Sequence, residues 1–235
     1  MDLSRQNVES AFSTLCNGNS EEINSANTFL MEWAQTPECF PTTFEIIVES
    51  NDLQVKTIAL TFFYSQIETN WILFDDDFKN SINDYFFKSL SEEFPSPEIA
   101  NTTFSIIVLI ALHDWPEIRP DYLELIFGLE NHIYLFQIIS EFLSLLQGCK
   151  YVIRSRLASL RQAFIEHNYV QIIVSLIQQF NDSIQEQDQS IIDQYTNIFL
   201  SIFNSLFAWC DIQLFLTQGI ADYILSKLPN DKSYE

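Results

Sequence analysis

The chain has 235 residues, of which 47% are hydrophobic and 21 are phenylalanine, so a large buried core is possible and the composition argues against disorder. Eleven Lys and Arg residues against 32 Asp and Glu residues give a net charge of −21. A surface this acidic repels phosphate backbones and anionic membranes, which argues against direct DNA binding, and it attracts basic proteins. Only four glycines occur, which argues against folds built on glycine-rich phosphate-binding turns.

Apolar residues at helical spacing, interrupted by prolines and polar turns, predict about twelve helices and no β-strand. The second helix is predicted to begin near Ser20, as its N-cap, and to end at Thr36-Pro37. The third, residues 41–50, is predicted to bury Phe44, Ile47 and Val48. The fourth reaches Trp71, and an acidic turn at residues 75–77 opens the fifth.

The sixth and seventh helices form a predicted hairpin, the most distinctive feature of the sequence. Residues 104–112 are almost all apolar, and Pro116 and Pro120 stop the helix after His113-Asp114-Trp115. Asp121 then opens the seventh helix with negative charge at its N-terminal end. An apolar helix beside an amphipathic partner is typical of stacked helix pairs rather than of a catalytic pocket.

The second half continues the same alternation of helices and short connections. The eighth helix covers about residues 131–147 and the tenth about residues 170–180, followed by a polar loop at residues 181–189. The last two helices are split at Trp209-Cys210-Asp211. A helix pair of about 40 residues, repeated about six times, predicts an all-α fold of the HEAT-like α-solenoid type.

No motif for catalysis or for a metal or cofactor is recognisable. His113-Asp114 and Glu166-His167 lack an accompanying nucleophile motif, so we expect no enzyme activity and no cofactor. The N-terminal residues do not resemble a signal peptide, and the longest apolar run is too short to span a bilayer. The cysteines lack metal-binding or redox spacing, which predicts a reduced intracellular protein; they are Cys16, Cys39, Cys149 and Cys210.

Five short sequence stretches are informative because of the order in which they occur along the chain. Residues 26–33 (ANTFLMEW) precede a proline-marked corner, residues 58–63 (IALTFF) follow, and residues 68–71 (ETNW) end that region. The Trp-Pro corner at residues 114–127 and the stretch LFAWCDIQLF at residues 206–215 come later. In this order they resemble the importin-β superfamily of nuclear transport receptors, exportin type, and in particular the N-terminal region of that family.

This resemblance implies a function in transport between nucleus and cytoplasm. Members of the family carry protein or RNA cargo through nuclear pores, bind the GTPase Ran in its GTP form, and contact Phe-Gly repeats of pore proteins. By this resemblance, residues 1–130 would be Ran-binding repeats and residues 131–235 further repeats of one continuous solenoid. The same analogy assigns Ran contacts to Glu45, Glu49, Asp84, Lys88 and Glu124.

Two further groups of residues have a structural and a functional interpretation. One group is expected to pack helix corners, with a Phe-Gly pocket as the alternative; it contains Trp33, Trp71, Trp115, Pro116 and Trp209. The other is a basic cluster that either pairs with neighbouring acidic helices or binds an acidic partner; it contains Lys150, Arg154, Arg156 and Arg161.

Two alternatives to a transport receptor stay open at the level of sequence. The first is a generic helical-repeat scaffold that binds other proteins without binding Ran. The second is a helical enzyme without a recognisable motif, which would need a closed pocket holding a strongly perturbed titratable group. Charge reversal at the five assigned Ran contacts would separate the receptor from the scaffold.

Overall fold

The computed structural model of the chain describes residues 4–149, 152–184 and 188–211. Within these ranges the fold is entirely helical, as predicted, and contains no strand. The helices are α1 Arg5–Asn17, α2 Ser20–Trp33, α3 Cys39–Glu49, α4 Leu53–Asn70, a 3-10 turn Trp71–Leu73, α5 Asp76–Ser89, α6 Pro97–Asp114, α7 Tyr122–Phe127, α8 His132–Gly148, α9 Arg154–Glu166, α10 Tyr169–Ile184 and α11 Gln189–Phe207. The predicted twelfth helix lies outside the described residues.

The chain divides into two compact units, an N-terminal unit, Met1–Tyr134, and a C-terminal unit, Leu135–Glu235. Helices α1 to α7 belong to the N-terminal unit and α9 to α11 to the C-terminal unit. Helix α8 begins three residues before the boundary. No helix in the described part of the chain is long and apolar enough to cross a membrane.

Side-chain caps explain where several helices of the N-terminal unit begin. The predicted cap of α2, Ser20, is wrong, because Asn19 holds that position and accepts hydrogen bonds from the backbone amides of Glu21 and Glu22. The Glu22 carboxylate accepts a bond from the Asn19 amide in return, which completes a capping box. Asp52 caps α4 by accepting hydrogen bonds from the backbone amides of Gln54 and Val55, and Asp75 caps α5 by accepting one from the backbone amide of Phe78.

Helix α6 is the centre of the N-terminal unit. Each residue from 106 to 112 is at most 1% exposed, as the apolar run predicts. This helix packs against α4 and α5, and α4 packs against α1 and α3. The prediction that α3 buries Val48 is wrong, since Val48 is 42% exposed, while Ile46 takes the buried position beside Ile47.

Helices α3, α5 and α7 contact one another in succession within the N-terminal unit. The Phe44 ring of α3 lies 5.5 Å from the Tyr85 ring of α5, and the Tyr85 hydroxyl donates to the Ile47 carbonyl over 3.2 Å. Phe87 of α5 packs edge-on against Tyr122 of α7, with ring centroids 5.1 Å apart. We call the exposed side chains of α3, α5 and α7 the acidic helix row.

The C-terminal unit has its own aromatic core. Phe136 of α8 packs 4.9 Å from Phe199 of α11, and Phe142 of α8 packs 5.8 Å from Phe164 of α9. Helix α10 extends to Ile184 and α11 begins at Gln189, so the predicted loop at residues 181–189 is wrong at both of its ends. No glycine or proline interrupts residues 181–184, and helical geometry therefore continues through this polar stretch.

Candidate functional site

The acidic helix row contains all five side chains that the family resemblance assigns to Ran binding. Glu45 and Glu49 are one turn apart on α3, and Asp84 and Lys88 are one turn apart on α5. Glu124 lies on α7, which contacts α5. All five residues are exposed, so the structure brings them to three successive neighbouring helices and leaves them accessible to a partner.

One of these five side chains, Glu49, is engaged within the chain. The Arg5 guanidinium forms ion pairs with Glu49 and, over 3.1 Å, with Glu9. The hydrogen bond to Glu49 is the main reason why the pKa of Arg5 is raised. Because the three side chains reach solvent, this network stabilises the fold only slightly, and a stronger partner could replace it.

Charge in the described part of the N-terminal unit is strongly one-sided. Residues 4–134 contain 21 acidic and 5 basic side chains. Three of the basic side chains contact groups of the same unit: Arg5 pairs with two glutamates, Lys79 lies 5.7 Å from the Trp71 ring centroid, and Arg119 donates to Asn80. Lys56 is half-buried, and burial lowers its pKa. The exposed carboxylates therefore dominate the field that an approaching protein meets.

The tryptophans at the predicted corners are mostly interior residues. Trp33 and Trp115 are 0% exposed and Trp71 is 2% exposed. The Trp33 ring stacks on Phe62 at 5.4 Å and meets Phe12 edge-on at 6.1 Å. The rings of Trp33, Trp71 and Trp115 are covered by the chain's own side chains, so a partner's phenylalanine has no access to them. Pro116 and Trp209 are half-buried.

A buried carboxylate at the Trp-Pro corner was missed by sequence reasoning. The Trp71 Nε1 donates to Asp114 over 2.7 Å, and Asp114 is only 2% exposed. The Asp114 carbonyl also accepts bonds from the amides of Ile118 and Arg119. The fully buried Tyr122 has a pKa well above its usual value, because of burial and then the nearby Asp114 charge. Asp114 thus holds the 3-10 turn against the corner between α6 and α7.

One member of the basic cluster in the C-terminal unit, Arg161, has a structural role. Arg161 donates from Nε to the Leu146 carbonyl and from Nη2 to the Gln147 carbonyl, each over 2.8 Å. Its guanidinium lies 5.9 Å from the Trp209 ring centroid. These contacts close the last turn of α8, where carbonyls lack helical partners. Arg154 is exposed and Arg156 is half-buried, while Lys150 lies outside the described residues.

The described residues contain no group of three or more His, Cys, Asp or Glu side chains that could hold a metal ion. Burial raises the pKa of Cys39 and of Cys210 to about 12, so both thiols are protonated at neutral pH.

Comparison with protein-family models finds no matching family, and no curated protein matches the sequence.

Proposed function

We propose that this chain is an N-terminal arc of an exportin-type nuclear transport receptor, and that its acidic helix row binds the GTPase Ran in the GTP form. The supporting observation is the charge distribution: exposed carboxylates lie on three successive helices while the basic side chains are few and mostly engaged. The successive contacts of α3, α5 and α7 agree with a HEAT-like α-solenoid.

Binding on this row would be driven and oriented by charge. A chain with a net charge of −21 accelerates the approach of a basic partner. Glu45, Asp84 and Glu124 would then pair with lysines or arginines of that partner. Glu49 would exchange Arg5 for a partner's cation, and Lys88 would select a carboxylate at its position on α5.

The same proposal includes Phe-Gly repeat proteins of the nuclear pore and a protein or RNA cargo, with the receptor shuttling between nucleus and cytoplasm. Because Trp33, Trp71 and Trp115 are buried, Phe-Gly repeats would have to bind elsewhere than on these rings. Flexing of stacked helix pairs would then couple Ran binding to cargo release.

A matched set of charge reversals tests the proposal. The E45K/E124K variant reverses two exposed side chains of the row, and the control E32K/E130K reverses two exposed side chains on no helix of the row. Both variants change the net charge equally. We expect E45K/E124K to weaken binding to Ran loaded with a non-hydrolysable GTP analogue by about tenfold or more, and the control by clearly less. Equal losses in both variants would mean that only overall charge matters.

A generic helical scaffold without Ran binding is the second candidate. Charge alone attracts any basic protein, and the ion pair between Arg5 and Glu49 shows that the row also serves the fold. A scaffold would bind basic proteins through the row with no preference for a GTPase or for its nucleotide state.

A further inference from the structure

A groove at the helix corners of the N-terminal unit lies beside two exposed aliphatic side chains. It has a volume of about 870 Å³ and runs between the α2–α3 connection, the end of α4 and the 3-10 turn. Ile72 is 83% exposed and Leu73 is 74% exposed, and Leu73 lines the groove. Single exposed apolar residues are common on protein surfaces, but two large aliphatic side chains exposed next to each other on a turn are typical of an interaction surface.

Both ends of this turn are held in place, so the exposure of Ile72 and Leu73 is not caused by fraying. On one side, Trp71 is buried and bonded to Asp114 over 2.7 Å. On the other side, Phe74 is 8% exposed, and its amide donates to the Trp71 carbonyl over 3.3 Å. A turn whose flanking residues are buried presents the two aliphatic side chains in a fixed position, which lowers the entropy cost of binding.

The groove offers an aromatic floor. The Phe40 and Phe74 ring centroids are 4.5 Å apart, and those of Phe74 and Phe78 are 5.3 Å apart. Part of the polar wall is already hydrogen-bonded within the chain, because the Asn70 side-chain amide donates to Gln66 over 3.2 Å and to Thr69 over 2.8 Å. An apolar side chain from a partner could therefore enter without leaving these wall groups unpaired.

The edge of the groove is acidic. Asp75 lines it, with the carboxylate held there by a 2.8 Å bond from the Phe78 amide. Asp76 and Asp77 follow in the first turn of α5, and Glu38 follows the groove residue Pro37; all three are exposed. A second copy of this chain carries the same net charge of −21, so pairing two copies here would bring like charges together. The charge favours a basic occupant.

We propose that this corner groove docks a short segment of another protein that inserts an aliphatic or aromatic side chain beside Leu73 and places Lys or Arg against Asp75, Asp76 and Asp77. The apolar anchor would supply most of the affinity, and the acidic edge would select segments with basic flanks. None of the five side chains assigned to Ran binding lines the groove, so this proposal stands without Ran binding.

A random peptide library displayed on phage and selected against the 235-residue chain tests the proposal. We expect the enriched peptides to carry a large apolar residue within a few positions of Lys or Arg. A synthetic consensus peptide should lose about tenfold or more in affinity for the I72S/L73S variant. The control I118S alters another exposed aliphatic residue, 66% exposed and not part of the groove, and should bind as the unchanged chain does.

A second pair of variants tests the acidic edge. D76N/D77N should weaken the peptide several-fold at low salt, whereas E92Q/E93Q, which removes the same charge at exposed positions not part of the groove, should not. Absence of enriched peptides, enrichment without basic residues, or unchanged binding to I72S/L73S would overturn the proposal. So would concentration-dependent dimerisation in analytical ultracentrifugation that I72S/L73S abolishes, because a second copy would then occupy the groove.

Discussion

At the scale of single residues, the pair formed by Asp114 and Trp71 shows how one buried carboxylate determines what the surface presents. The carboxylate accepts the indole N–H over 2.7 Å in a site that solvent does not reach. That bond fixes Trp71 inside the N-terminal unit, and the next two residues, Ile72 and Leu73, are then exposed. The corner that stabilises the fold therefore also positions the proposed docking groove.

We expect the D114A substitution to lower the free energy of unfolding by about 2–3 kcal/mol, because it leaves the buried Trp71 N–H without its acceptor. The control D121A removes an exposed carboxylate at the same corner that makes no capping bond, and it should change stability by less than about 0.5 kcal/mol. Urea titration followed by circular dichroism measures both. Equal small effects would show that the pair contributes little.

The four free cysteines should differ sharply in reactivity. Cys16 is exposed, Cys39 and Cys149 are buried, and Cys210 is half-buried. Burial raises the pKa of Cys39 and of Cys210 to about 12, so little reactive thiolate forms at either residue at about pH 8. Ellman's reagent should therefore label one thiol rapidly in the native chain, and C16S should abolish that phase. Rapid labelling that persists in C16S would contradict the described burial.

At the scale of helices, the sequence predicts a long, continuously apolar helix well, but it predicts less well which residues an amphipathic helix buries. The continuous apolar run of α6 allows only a buried helix, and residues 106–112 are indeed buried. Val48 was misplaced because Phe44, Ile47 and Val48 all fit an apolar stripe, and only packing against α1 and α4 selects Ile46 and Ile47. Ser20 and Asn19 are both good caps, so local sequence alone does not distinguish them.

Arg161 provides a test at this scale. The R161Q substitution should lower the free energy of unfolding by about 1–2 kcal/mol, because a shorter neutral side chain does not reach the carbonyls of Leu146 and Gln147 as well. Arg154 lies in the first turn of α9, where a positive charge opposes the helix dipole, so R154Q should be neutral or slightly stabilising. Thermal or urea unfolding of the two variants measures the difference. Equal effects would argue against a capping role for Arg161.

At the scale of the whole molecule, charge predicts the class of partner but not its identity. The excess of carboxylates over basic side chains could be read from the sequence, and the expectation that the chain attracts basic proteins rests on that excess. The sequence does not show that α3, α5 and α7 are neighbours. This follows from the contacts Phe44–Tyr85 and Phe87–Tyr122, which join residues distant in sequence. The exposure of Ile72 and Leu73 depends on the buried Trp71 and Phe74 and could not be predicted from local pattern.

The most direct measurement is binding of the chain to Ran loaded with a non-hydrolysable GTP analogue and to Ran-GDP, each at low and at moderate salt. We expect the chain to bind the GTP form about tenfold or more tightly than the GDP form, and this binding should weaken as salt screens the acidic helix row. Equal binding to both forms, or binding to neither, would contradict the transport-receptor proposal.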